Sequence, residues 1–118
     1  MDITIDPYSP TPPYDQVRRR IATLAADGVL AAGTKLPPVR ILAADLGLAA
    51  NTVARAYREL EAAGLVETRG RAGTVITARA TGTSVQAQAA AVAYAERTRA
   101  LGIPPETALA LVKAALAG

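Results

Sequence analysis

The chain has 118 residues, 51% of them hydrophobic, yet 28 are alanine and there is no Phe or Trp. Such an inventory suits a small helical module, because Ala favours helix and close helix approach but buries little apolar area. The absence of Cys and His excludes disulfide scaffolds, zinc fingers, thiol redox chemistry and every imidazole-dependent catalytic arrangement, while a net charge of +3 carried mostly by arginine permits nucleic-acid binding without establishing it.

The first thirteen residues include Pro7, Pro10, Pro12 and Pro13, which predicts an extended arm ahead of the fold. A helix follows, with Tyr14, Val17, Ile21, Leu24 and Ala25 on its inner face, Asp15 in its first turn and Gly28 to end it. Gly33 and Pro37-Pro38 punctuate a connector into a short second helix, whose face is Val39, Leu42, Ala43 and Leu46, stopped by Gly47. After a short turn a third helix over 51–63 turns Val53, Ala56, Tyr57 and Leu60 inward and closes at Gly64. The period then changes to that of strands. Leu65–Arg69 and Thr74–Thr77 flank Gly70-Arg71-Ala72-Gly73 and read as a hairpin. Thr81-Gly82-Thr83-Ser84 marks a composition break, followed by two Ala-rich helices at about 85–101 and 105–117.

Two helices joined by a tight turn and followed by a hairpin describe a winged helix-turn-helix. The expected fold is mainly α with a small β-hairpin, then two C-terminal helices. In that geometry the second helix of the pair enters the DNA major groove. With Val53, Tyr57 and Leu60 turned inward, a helical wheel points Asn51, Arg55 and Arg58 outward and puts Thr52 on the flank. Arg69 and Arg71 stand at or beside the hairpin tip, within reach of a phosphate or a minor groove. The bland alternative makes Arg55 and Arg58 a solvated face, partly paired with Glu59 and its neighbours.

Leu36-Pro37-Pro38-Val39-Arg40, Leu46-Gly47-Leu48, the run Asn51–Glu61 and Gly64-Leu65-Val66 together resemble the winged-helix domain of the GntR family of bacterial transcription regulators. Pro13-Tyr14-Asp15-Gln16-Val17 resembles that family's first helix, so the likeness spans about residues 7–78. The short remainder is similar to the YtrA-like short subfamily, in which two C-terminal helices mediate dimerisation and the genes often neighbour membrane transporters. The resemblance implies that Arg40 meets DNA, usually at phosphate, and that Asn51 and Thr52 form the polar pair opening the recognition helix. It likewise gives Arg55 a DNA-side position and matches Arg71 with Gly73 to the glycine-rich wing, while Tyr57, Leu60 and Leu65 match core positions. With Lys35, the candidate DNA contacts are therefore Lys35, Arg40, Asn51, Thr52, Arg55, Arg58, Arg69, Arg71 and Gly73.

Departures from the family pattern matter. Ala49 stands where a capping Ser, Thr or Asn is common, so Asn51 has the alternative role of capping a shortened helix. Ala50 and Ala54 occupy positions where many members carry Arg, which implies fewer direct guanine contacts. Ile41 replaces a common Glu and points outward, either covered by a neighbour or facing DNA.

The chain is expected to divide into a DNA-binding domain with its arm at 1–78 and a two-helix dimerisation region at 79–118. Leu109, Val112 and Leu116 stripe the last helix, and Val85, Ala89, Val92 and Leu101 stripe the one before. Helices with so little bulk must pack on the winged helix or on a second subunit. A homodimer is favoured, because operators are commonly palindromic and one small winged helix binds weakly alone. Tyr94 is read as core or interface rather than a ligand contact.

The expected function is a sequence-specific regulator, a repressor binding a palindromic operator in double-stranded DNA. The alternative is a winged helix serving as a protein-interaction or assembly module. No enzyme activity or cofactor is expected, since His and Cys are absent and Gly70-Arg71-Ala72-Gly73 fits neither a P-loop nor a dinucleotide fingerprint, and the same absence of His and Cys disfavours a metal. No secretory signal or membrane-length apolar run is visible, so the expected address is the cytoplasm, with no membrane partner. Operator sequence, regulated genes, the choice between repression and activation, and the existence or identity of a small-molecule effector are not legible in the residues.

Overall fold

The computed structural model of the protein describes residues 1–82 and 85–118, with Val85 described by its backbone alone. Within it the chain forms two compact units, Met1–Thr83 and Ser84–Gly118. The first contains helices α1 (Pro13–Ala26), α2 (Val39–Leu46) and α3 (Ala50–Ala62), strands β1 (Val66–Thr68) and β2 (Thr74–Ile76), and a short helix α4 (Ala78–Thr81). The second contains α5 (Val85–Ala100) and α6 (Pro105–Ala117). This is the mainly helical fold with one hairpin that the sequence predicts. No helix among the described residues is long and apolar enough to cross a membrane.

The first unit closes around the inward faces of its three long helices. Val17, Ile21, Leu24 and Ala25 of α1, Leu42 and Ala43 of α2, and Val53, Ala56, Tyr57 and Leu60 of α3 are all buried. Burying these apolar faces is the main favourable term holding the helices together. Ala25, Ala43 and Ala56 leave room for close helix approach, while Leu36, Val66 and Ile76 cap the core from the sheet side. Pro13 suits the first turn of α1, where its missing N–H is no loss. Asp15 lies near the positive end of the same helix and pairs with Arg18 and Arg19. The hydrogen bond from Arg18 and the charges of both arginines hold the Asp15 carboxyl below its ordinary value.

The hairpin is antiparallel, pairing Val66 with Ile76, Glu67 with Val75 and Thr68 with Thr74. A single 3-10 turn over Gly70–Ala72 forms its tip. The connector before α2 proves to be more than a loop. Leu36 N–H donates to the Thr74 carbonyl at 2.8 Å, and Ile76 N–H to the Thr34 carbonyl at 2.9 Å, so Lys35 bridges Val75 as an edge segment. Beyond β2, the Thr77 side chain accepts from Ala80 N–H and caps α4, which tucks Ala80 against the core. That helix is too short for its pattern to stand out. The first unit accordingly runs past position 78; Thr83 and Ser84, half of the expected composition break, lie outside the described residues.

The N-terminal segment corrects the expectation of an arm ahead of the fold. Ile3 is buried in the core and Ile5 is packed partly against it. The Gln16 side chain accepts from Asp6 N–H at 2.8 Å and donates to the Asp6 and Thr11 carbonyls. Prolines keep this stretch from joining a helix or sheet, so a side chain from α1 satisfies backbone groups that secondary structure would otherwise pair. The alternation of Met1, Ile3 and Ile5 is too brief to stand out ahead of the prolines, yet Ile3 supplies apolar bulk to a core short of it.

Tyr57 ties α3 to the connector. Its hydroxyl donates to the Pro37 carbonyl at 2.7 Å, and burial pushes its phenol up to about 12 from the ordinary 10. Below pH 10 the phenol is protonated whether the chain is folded or unfolded, and its contribution is complete. Between pH 10 and 12 the unfolded chain ionises first, so stability falls by roughly 2–3 kcal/mol. Tyr57→Phe is expected to cost about 1–2 kcal/mol at pH 7 and to lose less stability than the unaltered protein on going to pH 12. Urea denaturation of both at pH 9, 11 and 12 checks this; equal losses would show that Tyr57 is not responsible.

In the second unit, Tyr94 O–H donates to the Ala108 carbonyl at 2.7 Å, joining α5 to α6. Thr98 is buried and donates its hydroxyl to the Tyr94 and Ala95 carbonyls, and Ala108 is buried beside it. Tyr94 is therefore a structural link within the helical pair. Among the described residues of this unit no side chain other than those of Thr98 and Ala108 is buried. Val92, Leu101, Leu109, Leu111 and Leu116 are all exposed.

Candidate nucleic-acid interface

The turn between α2 and α3 is set by Gly47, whose φ of +67° is a left-handed conformation that a side chain would strain. Leu48 N–H then reaches back to the Ala43 carbonyl at 2.9 Å and stops α2. Ala49, extended, occupies the cap position of α3 with no side-chain hydrogen bond. Asn51 is thus inside the first turn of the helix and exposed, which answers its capping alternative: the cap position belongs to Ala49. The first turn of α3 holds no acidic residue, so the positive end of its dipole stays uncompensated and open to an anion.

Because Val53, Ala56, Tyr57 and Leu60 are buried, Asn51, Arg55 and Arg58 share the opposite, exposed face, with Thr52 half-buried on the flank. Arg40 is exposed in the first turn of α2. Neither Arg40 nor Arg58 makes an ion pair among the described residues, whereas Arg55 lies 3.6 Å from Glu59. Ile41 is 55% exposed, so no neighbour covers it.

On the wing, Arg69 turns back to an ion pair with Glu67 on its own strand, which discounts its free charge. Arg71 is exposed in the tip turn. Lys35 and Gly73 are brought together by the edge pairing: a Cβ built on Gly73 would stand 3.0 Å from Lys35 Cε. The lysine stem therefore crosses the wing backbone at a point that has no side chain. Gly73 itself sits at φ +78°, ψ −154°, a region essentially restricted to glycine. Gly73→Ala is expected to cost about 1–3 kcal/mol and to loosen the wing. Hydrogen exchange at the Arg69 amide, which donates to the Gly73 carbonyl at 2.8 Å, should accelerate at least severalfold while α3 stays protected. An unchanged melt and unchanged exchange would refute this.

Sequence reasoning missed Tyr14 as part of this surface. It stands half-buried at the start of α1, and the Arg55 guanidinium carbon lies 3.7 Å from its ring centroid. The helical wheel puts Tyr14 on the inner face, but no pattern within one helix signals which residue of another will cover it.

Of the dimerisation candidates, Ala89, Val92, Leu101, Leu109 and Leu116 are exposed and Val112 is half-buried; the Val85 side chain lies outside the described residues.

A helix-turn-helix, an outward face of Asn and Arg on its second helix and a basic wing together define a winged-helix DNA-binding protein. Residues 13–76 match the bacterial regulatory proteins of the gntR family, and the chain belongs to that family. It is similar to the HTH-type transcriptional regulator Rv1152 of Mycobacterium tuberculosis, with 48% identity over 91% of this chain and 88% of that one. The HTH-type transcriptional repressor YtrA of Bacillus subtilis is 46% identical over 70% of this chain and 64% of its own length. Among solved structures, YtrA from Sulfolobus acidocaldarius, a GntR-family transcription factor, superposes with a TM-score of 0.62 at 34% identity, covering 85% of this chain and 97% of that one. These relatives are transcription regulators of the short, YtrA-like kind, and the chain is a GntR-family regulator with a DNA-binding winged helix.

Proposed function

We propose that this regulator is a cytoplasmic repressor that acts as a homodimer on a palindromic operator. Residues 1–78 read the DNA and residues 79–118 hold two copies together. The observation that carries the reading is the outward face of α3, where exposed Asn51, Arg55 and Arg58 stand clear of a fully buried inner face. Two such helices in successive major grooves, about one helical turn apart, would match a two-fold operator. The name of the Bacillus subtilis relative, a transcriptional repressor, supports repression. The likeness to the short subfamily supports control of transporter genes.

In this mechanism Lys35, Arg40 and Arg71 meet phosphates, Asn51, Thr52, Arg55 and Arg58 serve the major groove, and Gly73 lets the wing backbone approach the duplex. Arg69 contributes less charge because Glu67 neutralises it. Selection of DNA from a random pool by the purified protein should return a symmetric site, and binding to it should weaken steeply with salt while keeping its sequence preference. Arg40→Ala is expected to weaken binding to all sequences and to lower the salt slope by about 0.9, whereas Asn51→Ala should change base preference by roughly 1–3 kcal/mol at one position. Recovery of no preferred sequence would defeat the regulator mechanism and favour a protein-binding role for the same face.

A further inference from the structure

We infer that Tyr14 is a specificity-determining positioning residue: its ring holds the Arg55 guanidinium ready for a base edge before DNA arrives. The inference deepens the proposal that α3 reads the major groove and rests on it. Arg55 has two partners in the free protein, the Tyr14 ring beneath it, with its guanidinium carbon 3.7 Å from the centroid, and Glu59 beside it, 3.6 Å from Nε. The ring attracts the cation through its negative face and leaves the edge donors unspent, unlike a carboxylate, which takes them up.

The surroundings favour this pairing. Asp15, next to Tyr14 in sequence, pairs with Arg18 and Arg19 of its own helix. The Glu59 contact is long for a hydrogen bond and lies between exposed groups, so it steers Arg55 weakly. Tyr14 is fixed by its place in the first turn of α1, directly after Pro13, and α1 is packed on α3 through Val17 and Ile21. Arginine ordinarily surrenders much rotamer freedom when it binds in one geometry, and a side chain already held over a ring surrenders less. Its planar fork is then presented for the paired acceptors of guanine. Because Ala50 and Ala54 carry no charge, the cations of α3 able to share that task are reduced to Arg58, one turn further on.

The test is a double-mutant cycle on the selected site. Tyr14→Leu should weaken binding about 5- to 20-fold and flatten preference at the position that Arg55→Ala also flattens. Tyr14→Phe, which keeps the ring, should remain within about threefold. In an Arg55→Ala background, Tyr14→Leu should add almost nothing. An equal loss in that background would overturn the inference, because Tyr14 would then act on DNA or on the fold without Arg55. A second readout needs no DNA: ring-current shifts of the Arg55 side-chain protons should be present in the unaltered protein and absent in Tyr14→Leu. Their absence from the unaltered protein would refute the pairing itself. Shifts present in a protein that selects no DNA sequence would instead refute the DNA reading, and the positioning role with it.

Discussion

Leu60→Ala should destabilise the first unit by about 2–5 kcal/mol, measured by urea denaturation followed through helical circular dichroism. Leu60 is fully buried on the inner face of α3, and its carbonyl accepts the Leu65 N–H that ends the helix and directs the chain into β1. The largest fully buried side chains are Ile21, Leu36, Leu60, Ile76, Val17, Val53 and Val66, with no Phe or Trp among them. A core of that composition holds little surplus, since small domains bury a modest share of their surface and are marginally stable. Truncating one leucine therefore removes a large part of the whole stability, and a substantial unfolded fraction at 37 °C is expected. Leu60→Met, which conserves volume, should cost less than about 1.5 kcal/mol. A loss below about 1 kcal/mol for Leu60→Ala would show that neighbouring side chains collapse into the vacated space.

The same scarcity explains which parts of the fold could be read in the sequence. The helices α1, α2 and α3 announce themselves by period, whereas α5, almost uniformly alanine around its circumference, is legible by helix propensity instead; helix ends are marked by Gly28, Gly47, Gly64 and Pro104-Pro105. What escaped depends on partners distant in sequence. Ile3 belongs to an alternation with Met1 and Ile5 that is too short to mark an element, so its burial follows from the core it completes. The 34–36 edge segment exists because β2 offers it free backbone groups, a pairing that no local propensity encodes. In the interface, a helical wheel suffices to place Asn51, Arg55 and Arg58 outward, since it needs only knowledge of the inner face. The Arg55–Glu59 pair is likewise legible as an i,i+4 spacing. The Glu67–Arg69 pair has the i,i+2 spacing that puts two side chains on one face of a strand, whereas the ring under Arg55 is not legible, because it depends on side-chain directions across two helices. Alanine has two consequences: within the core it permits close packing, and in the second unit it leaves exposed Val92 of α5 and the leucines of α6, Leu109, Leu111 and Leu116, as the apolar features that a partner would recognise.

Those leucines carry the second large effect. Leu109 and Leu116 are 66% and 83% exposed, and with half-buried Val112 they form one stripe of α6. Replacing Leu109 and Leu116 together by Glu should barely disturb the fold of one chain, because neither side chain is covered within it. If a second copy covers that stripe, the substitution buries two carboxylates from each copy in an apolar interface, which strongly disfavours association. Light scattering should then report a fall from a dimer to the 12.1 kDa of a single chain. Operator affinity should drop with it by about 10²–10⁴-fold, because the second winged helix no longer binds at the high effective concentration that a dimer provides. Affinity for an isolated half-site should change little. That contrast separates loss of pairing from loss of DNA contacts, since Arg55→Ala would weaken half-site and full site alike. A mass that stays dimeric after the double substitution would place the interface elsewhere in the chain. A monomeric mass for the unaltered protein at micromolar concentration would mean that pairing, if the operator needs it, is assembled on the DNA, and the salt dependence of full-site binding would then have to account for two independent arrivals.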